Sequence, residues 1–180
     1  MRHIPAGLKT RKTIKLTKSF WKDFAWWEEA LKHFVDKQQG VSFWMADTED
    51  LRFDRSVGTD ASGYGLGVKS GENSFHFLWN PKQRKNSINW KELKTVLVAA
   101  EKWHDQWFRK DIVVYSDNST TVNLINNGST KHPQLMKLVR RLHLLALKGN
   151  FNVKARHIPG VQNVVPDYLS RMTEGEILQD

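Results

Sequence analysis

The first pattern along the chain is a stripe of apolar residues at helical spacing. Within residues 17–40 these residues recur at alternating steps of four and three, which places them on one face of a helix: Phe20, Phe24, Trp27, Leu31 and Phe34. Thr17 suits the N-cap position and Gly40 suits the C-terminal end. The apolar face has two open explanations, namely packing on the domain that follows or docking against an upstream domain.

The pattern changes to strands after a mixed and partly acidic linker at residues 41–56. Residues 56–70 and 75–79 are rich in small and apolar residues, and the turn signal at residues 71–74 separates them. This arrangement predicts two or three antiparallel strands in a meander.

The rest of the chain alternates between helical and strand-like patterns. A helix is predicted over residues 89–107, followed by a short apolar run at residues 112–115 that is typical of a strand buried on both faces. Further helices are predicted over residues 118–126, 133–148 and 164–172, and a last strand over residues 151–158. The order β-β-β-α-β-α-α-β-α predicts an α/β fold: one mixed five-stranded sheet flanked by helices, preceded by the tryptophan-rich N-terminal helix.

Composition narrows the class of protein. At 180 residues and 39% hydrophobic content, the chain is long enough for one globular domain with an appendage. It has no cysteine, which excludes disulfides and thiolate zinc sites. No apolar run approaches the ~18 residues that span a bilayer, and the basic N-terminus lacks the apolar stretch of a secretion signal. We therefore expect no membrane association and an intracellular protein, with cytoplasm and nucleus both open.

The charge favours a polyanionic partner. The formal net charge is +9 and the pI is about 9.8, and residues 1–18 hold six Lys or Arg and no acid. Two further basic clusters follow along the chain: Lys82, Arg84 and Lys85, and then Lys137, Arg140 and Arg141. This distribution predicts nucleic-acid binding.

Four acidic residues stand in short phrases at wide intervals, and each has an ordinary explanation by itself. Asp60 could be a strand-end turn residue, and Glu92 could complete a capping box with Asn89. Asp117 and Asp167 could each complement the dipole at the start of a helix.

Their joint placement favours chemistry. Asp60 leaves the first strand and Asp117 leaves the fourth, so both carboxylates share one edge of the sheet if those strands are neighbours. Glu92 lies one turn into a helix that would cross this edge, and Asp167 starts another. Four carboxylates at one point repel each other and need cations, which predicts divalent-metal chemistry on a phosphate backbone. The glycines after Asp60 would let a bulky duplex approach the backbone closely.

These phrases resemble the ribonuclease H domain of retrotransposon reverse transcriptases, especially those of Ty3/gypsy and DIRS-like elements. The resemblance covers about residues 56–172, and its most specific part is the final phrase from His157 to Arg171, H-I-P-G-V-Q-N-V-V-P-D-Y-L-S-R. Residues 17–44 resemble the tryptophan-rich connection segment that precedes this domain. The chain thus divides into a basic segment and connection helix (1–50), a ribonuclease H-like domain (51–172) and a tail (173–180).

The resemblance implies a mechanism and a set of ligands. Asp60, Glu92, Asp117 and Asp167 match the residues that hold two Mg²⁺ ions, with Mn²⁺ as a substitute, for cutting the RNA strand of an RNA–DNA hybrid. One ion would activate a water and the other would stabilise the leaving 3′ oxygen. His157, ten residues before Asp167, matches a loop histidine that assists product release or proton transfer, although a strand-end role without chemistry is equally open.

The implied substrate contacts surround these acids. The 2′-hydroxyl marks the RNA strand, and backbone groups around Ala61, Ser62 and Gly63 are expected to read it. Asn118 is a further expected contact. The short connection at residues 107–111 leaves no room for the basic handle helix of cellular enzymes, so grip on the nucleic acid must come from the basic N-terminus or from these side chains: Lys82, Arg84, Lys85, Lys137 and Arg141.

One departure and several alternatives accompany the resemblance. Pro166 replaces the usual alanine before the last aspartate, which is tolerable in the first turn of a helix that Asn163 caps. The leading hypothesis is a ribonuclease H with an upstream polymerase domain of the same polyprotein as partner. A silent nucleic-acid-binding or partner-docking module is the alternative, and the final phrase argues against a transposase or integrase core.

Overall fold

A five-stranded mixed sheet forms the centre of the protein. The computed structural model describes residues 15–37 and 53–173. Its strands are β1 (Arg55–Ala61), β2 (Gly65–Ser70), β3 (Asn73–Leu78), β4 (Asp111–Ser116) and β5 (Asn152–His157). Their order is β3-β2-β1-β4-β5, with the first three antiparallel and with β4 and β5 parallel to β1. The predicted meander and mixed sheet are confirmed, whereas Gly40, the linker up to residue 52 and residues 174–180 lie outside the described residues.

The helices are α1 (Lys18–Lys37), α2 (Pro81–Arg84), α3 (Ile88–Lys102), α4 (His104–Trp107), α5 (Ser119–Asn127), α6 (Pro133–Lys148) and α7 (Val164–Arg171), with a 3-10 turn at Gly160–Gln162. The predicted single helix over residues 89–107 is wrong in two respects. It begins one residue earlier, because Ser87 accepts the Trp90 N–H at its N-cap, and it breaks at Trp103. Trp103 turns inward against Phe75, with ring centroids 5.0 Å apart. None of the described helices is both long and apolar enough to cross a membrane.

Alternation along β1 divides the helices between the two faces of the sheet. Val57 points into the main core with Leu93 and Leu97 of α3 and Leu142 of α6, all fully buried. Gly58, its neighbour, points to the other face, which α7 covers.

Two glycines admit α7 to that face, and a third lets β3 lie close to β2. A Cβ on Gly67 would lie 2.6 Å from the Ser170 nitrogen, and one on Gly58 would lie 2.9 Å from the ring of Pro166. A Cβ on Gly65 would meet the Phe77 carbonyl at 2.6 Å. The expectation that the glycines after Asp60 admit a duplex is therefore wrong for Gly65 and Gly67, which admit protein backbone instead.

Helix α1 docks on the domain through a side that is next to its predicted apolar stripe, about a quarter of the way round the helix. Thr17 is confirmed as its N-cap, since the hydroxyl accepts the Phe20 N–H at 3.2 Å. Four of the five stripe residues are exposed, with Phe20, Phe24, Trp27 and Leu31 at 42%, 54%, 53% and 56% of their full surface, whereas Phe34 is half-buried.

The docked side makes polar and small-residue contacts with α6. The Trp26 indole donates to the Arg140 carbonyl at 2.8 Å, Asp23 pairs with the Arg140 guanidinium at 2.5 Å, and Ala30 is fully buried. Packing of α1 on the domain is thus confirmed, but the face that packs is not the apolar stripe.

Candidate metal centre

Three carboxylates from three different elements meet at one edge of the sheet. Asp60 is near the end of β1, and Asp117 follows directly after β4, the parallel neighbour of β1. Glu92 lies in the second turn of α3. One carboxylate oxygen from each lies within 4.8 Å of the others, and Asp60 and Glu92 are only 4% and 3% exposed.

Glu92 points into this cluster rather than at its own helix terminus. One carboxylate oxygen accepts the Ala61 N–H at 3.2 Å, while the other is buried without a hydrogen-bond partner among the described residues. Ser87 is the N-cap of α3, and the Asn89 side chain accepts from Asn118 at 3.0 Å. The capping-box explanation of Glu92 is therefore wrong.

Without a cation, Glu92 holds a proton near neutral pH. Burial, and then the charges of Asp60 and Asp117, raises the pKa of Glu92 to about 9. Burial also raises the pKa of Asp60, with a contribution from Asp117 and Asp167, against a hydrogen bond from Ser170 that lowers it.

This donor set fits a hard divalent cation. All three donors are carboxylate oxygens, which Mg²⁺ and Mn²⁺ prefer. A cation would also compensate the mutual repulsion of the three acids and supply a partner for the orphaned Glu92 oxygen.

Asp167 lies beside the cluster and outside the group of three. Its carboxylate accepts two hydrogen bonds from Arg171, one turn further along α7, from Nε at 2.8 Å and Nη2 at 2.7 Å. It is still near enough for its charge to raise the pKa of Asp60. The structure therefore assembles Asp60, Glu92 and Asp117 and leaves Asp167 paired with its own helix.

Ser170 is a site residue that sequence reasoning missed. Its hydroxyl donates to Asp60 at 2.5 Å, and its carbonyl accepts from the Ser62 hydroxyl at 2.5 Å. Ser170 is fully buried. The only signal in the sequence was its place three residues after Asp167 in the final phrase, which does not reveal that α7 crosses β1.

His157 lies next to the third acid. It ends β5, its ring is exposed, and its Nε2 is 3.1 Å from the Asp117 carbonyl. In the turn that follows, a Cβ on Gly160 would lie 3.0 Å from the Asp117 carboxylate. The loop after β5 thus forms one wall beside Asp117.

Most of the expected backbone and amide contacts already have protein partners. Ala61 and Ser62 are buried, and their N–H groups donate to Glu92 and to the Gly65 carbonyl. Asn118 caps α5 by accepting the Thr121 N–H at 2.9 Å. Gly63 differs, because it is exposed and a Cβ there would have no atom within 4 Å.

The basic side chains separate into two kinds. Lys82, Lys137 and Arg141 line one groove of about 530 Å³ between α2, α3 and α6, which we call the α3–α6 groove. Arg84 instead donates to the Trp79 carbonyl at 3.0 Å, and Lys85 is exposed at the end of α2. Helix α2, with its Asn80 and Gln83 capping box, was not predicted.

The comparisons with known proteins agree with this architecture. A family model described as reverse transcriptase-like matches residues 59–173. No curated protein matches the chain. Among solved structures, RNase H1 from Halobacterium salinarum NRC-1 is similar at 19% identity and a TM-score of 0.52. The match covers 70% of this chain and 98% of the Halobacterium chain.

A second similar structure is LC11-RNase H1, a protein isolated from compost by a metagenomic approach, solved in complex with an RNA/DNA hybrid. It is 18% identical to this chain with a TM-score of 0.56, and the match covers 69% of this chain and 99% of the LC11-RNase H1 chain. Both likenesses show the same fold. The chain therefore belongs to the reverse transcriptase-like family and has the ribonuclease H-like fold.

Proposed function

We propose that this protein is a ribonuclease H, a metal-dependent endonuclease that hydrolyses the RNA strand of RNA–DNA hybrids. The observation that carries the proposal is the group of three carboxylates within 4.8 Å of one another, which includes a buried Glu92 oxygen without a partner. A cation would both offset the mutual repulsion of these acids, which otherwise requires protonation, and give the buried Glu92 oxygen a partner.

Asp60, Glu92 and Asp117 would hold the metal, Mg²⁺ by preference and Mn²⁺ as a substitute. When bound, such metal would activate a water and stabilise charge on the phosphate that is cut. Within the protein, Ser170 fixes the orientation of Asp60, and the Ala61 N–H fixes that of Glu92. Glu92 must also release the proton that its raised pKa retains before it can serve as a ligand.

Asp167 and His157 complete the proposed site. Asp167 would help to hold a second ion after its carboxylate is released from Arg171. This release is a local change because both side chains are substantially exposed. His157, beside the Asp117 backbone, would assist product release or proton transfer.

The hybrid is the proposed substrate because the fold and the surface both suit it. LC11-RNase H1, which shares the fold, is bound to an RNA/DNA hybrid in its solved structure. Gly63 offers open backbone close to Asp60, where it would approach the RNA strand, whereas the partners of Ala61, Ser62 and Asn118 restrict those residues to shaping the site. Lys82, Lys137 and Arg141 would bind phosphates in the α3–α6 groove. Arg84 and Lys85, at the end of the helix that carries Lys82, would add further phosphate contacts.

The proposed context is a retroelement reverse transcriptase, with an upstream polymerase domain of the same polyprotein as partner. The match to the reverse transcriptase-like family and the final phrase from His157 to Arg171 support this context.

Cleavage of a labelled hybrid by Asp117→Asn and by the wild type tests the activity. We expect the wild type to cut the RNA strand in Mg²⁺ or Mn²⁺ but not in EDTA, and Asp117→Asn to lose at least about a hundredfold in rate. Asp105→Asn is the matched control, since Asp105 is an exposed acid on α4.

The alternative is a silent binding module, which the pairing of Asp167 with Arg171 favours. Tight binding of hybrid by the wild type without cleavage in either metal would establish that alternative and reject the nuclease.

A further inference from the structure

Two grooves on the surface join into one path across three helices. The α3–α6 groove adjoins a second groove of about 590 Å³ between α6 and α1. Both grooves are lined by the same three α6 residues, Gln134, Lys137 and Arg141, which stand on its exposed side at steps of three and four. We call this continuous surface over α3, α6 and α1 the three-helix track.

Uncompensated positive charge lies along the whole track. Lys82 lines the α3–α6 groove, Lys137 lines both grooves, and Lys22 of α1 lines the second. Within the described ranges, none of these three lysines has an ion-pair partner. The path has three other cations, and all are paired: Arg140 with Asp23, and Lys94 and Arg141 with Glu101. A row of unpaired lysines is a site for a polyanion.

Tryptophans alternate with these charges. Trp90 lines the first groove, and Trp26 lines the second, one helical turn from Lys22. The Trp26 indole N–H is already used by the Arg140 carbonyl, so the side chain is held in place and offers its ring to the groove. The track thus combines positive charge with rigid apolar surface.

The track begins at the proposed metal centre. Asn86 and Trp90 line its near end at the start of α3. Asn89, between them in the chain, accepts a hydrogen bond from Asn118, which directly follows Asp117. The near end therefore lies at the same end of α3 as the acids, although Trp90 and Glu92 face different sides of the helix. Packed helices are about 8–10 Å apart, so crossing from α3 to α1 covers about 20 Å. At about 3.4 Å per base pair, this distance corresponds to about six base pairs.

We infer that the three-helix track binds the phosphate backbone of the hybrid beyond the cut, and that α1, through Lys22, extends the binding site. The inference rests on the proposed function for the identity of the polyanion. It gives α1 a role in holding nucleic acid that its exposed apolar residues do not suggest. It also provides grip that the short connection between α4 and β4 has no room to supply.

Binding of a short and a long hybrid, about 8 and about 18 base pairs, tests the inference. A duplex centred on the metal site extends about four base pairs to each side in the first case and about nine in the second, so only the long one covers the six base pairs to α1. Kd is measured by fluorescence anisotropy in EDTA, across a range of salt, for the wild type and for Lys22→Gln/Lys137→Gln. For the long hybrid we expect binding about tenfold weaker at low salt and a salt slope shallower by about two. Binding of the short hybrid should be weakened much less, because it does not reach Lys22.

The matched control is Lys32→Gln/Lys110→Gln, which removes the same charge. Lys32 pairs with Glu28 on another side of α1, and Lys110 precedes β4 at the edge of the sheet away from the acids. Equal loss of affinity in both double variants would mean that net charge alone causes the effect, and this would overturn the inference. A wild type that binds both hybrids equally, or that binds neither, would also overturn it.

Cleavage by the wild type separates the two proposals. If the wild type binds the long hybrid more tightly through Lys22 and Lys137 but cuts neither hybrid in Mg²⁺, the proposed function fails and the three-helix track stands. If it cuts both hybrids but Lys22→Gln/Lys137→Gln binds the long one like the wild type, the proposed function stands and the track fails.

Discussion

Replacing Glu92 by glutamine should make the metal-free protein more stable at alkaline pH. In the wild type, folding raises the pKa of Glu92 from 4.5 to about 9. Between these values the folded state binds more protons than the unfolded state, so the free energy of unfolding falls as pH rises through this window. Glutamine removes this cost because its amide does not titrate. It also keeps the size of the side chain and an acceptor for the Ala61 N–H.

The magnitude follows from the width of the window. At pH 8 folded Glu92 keeps its proton, although the pH is about 3.5 units above its ordinary pKa of 4.5. Each pH unit costs about 1.4 kcal/mol, so the free energy of unfolding is lowered by up to about 5 kcal/mol relative to Glu92→Gln. At pH 5 the wild type and Glu92→Gln should be about equally stable, because Glu92 is then protonated in the folded protein. In Mg²⁺ the order should reverse, since only the wild type retains all three ligands and gains stability from binding.

Urea denaturation in EDTA at pH 5 and pH 8, followed by tryptophan fluorescence, measures this difference. Glu72→Gln, at an exposed position in the turn between β2 and β3, is the control. If Glu92→Gln is less stable than the wild type at pH 8, or if the two lose stability in parallel between the two pH values, then Glu92 does not carry the proton and the electrostatic account of the cluster is wrong.

Three further predictions concern the support around the cluster. Ser170→Ala should lower the free energy of unfolding at neutral pH by about 1–3 kcal/mol and weaken binding of Mg²⁺, because Asp60 loses its buried donor. Denaturation measures the first effect and calorimetric titration the second, and unchanged metal affinity would contradict the positioning role. Gly67→Ala should destabilise the fold by at least about 2 kcal/mol because α7 must move away, whereas Gly63→Ala should cost about 0.5 kcal/mol or less; equal melting temperatures would refute the packing argument. Calorimetric titration of Mg²⁺ at pH 8 in buffers of different ionisation enthalpy should show release of about one proton per protein, and no release would mean that Glu92 is already ionised.

The meander could be predicted from local causes, whereas the meeting of Asp60 with Asp117 was predicted only on the condition that β1 and β4 are neighbours. A short connection makes β1, β2 and β3 a meander, and the parallel pairing of β1 with β4 brings their carboxyl ends to one edge. The side chains at those ends then meet whatever the details of packing.

The remaining features depend on tertiary contacts that spacing does not encode. Ser87 and Asn89 are both residue types that cap helices well. Ser87 is the N-cap of α3, whereas the Asn89 side chain accepts a hydrogen bond from Asn118 at the start of α5. The docked side of α1 depends on Trp26 and Arg140, which are 114 positions apart in the chain. A helical stripe identifies an apolar face, but it does not tell which side of the helix meets a partner.

Cleavage of an RNA–DNA hybrid labelled differently on its two strands decides whether this protein is a ribonuclease H. We expect the wild-type protein to cut the RNA strand only, to require Mg²⁺ or Mn²⁺, and to leave the DNA strand intact. Cleavage of the DNA strand, or an RNA strand that remains whole in both metals while the hybrid is bound, would contradict this expectation.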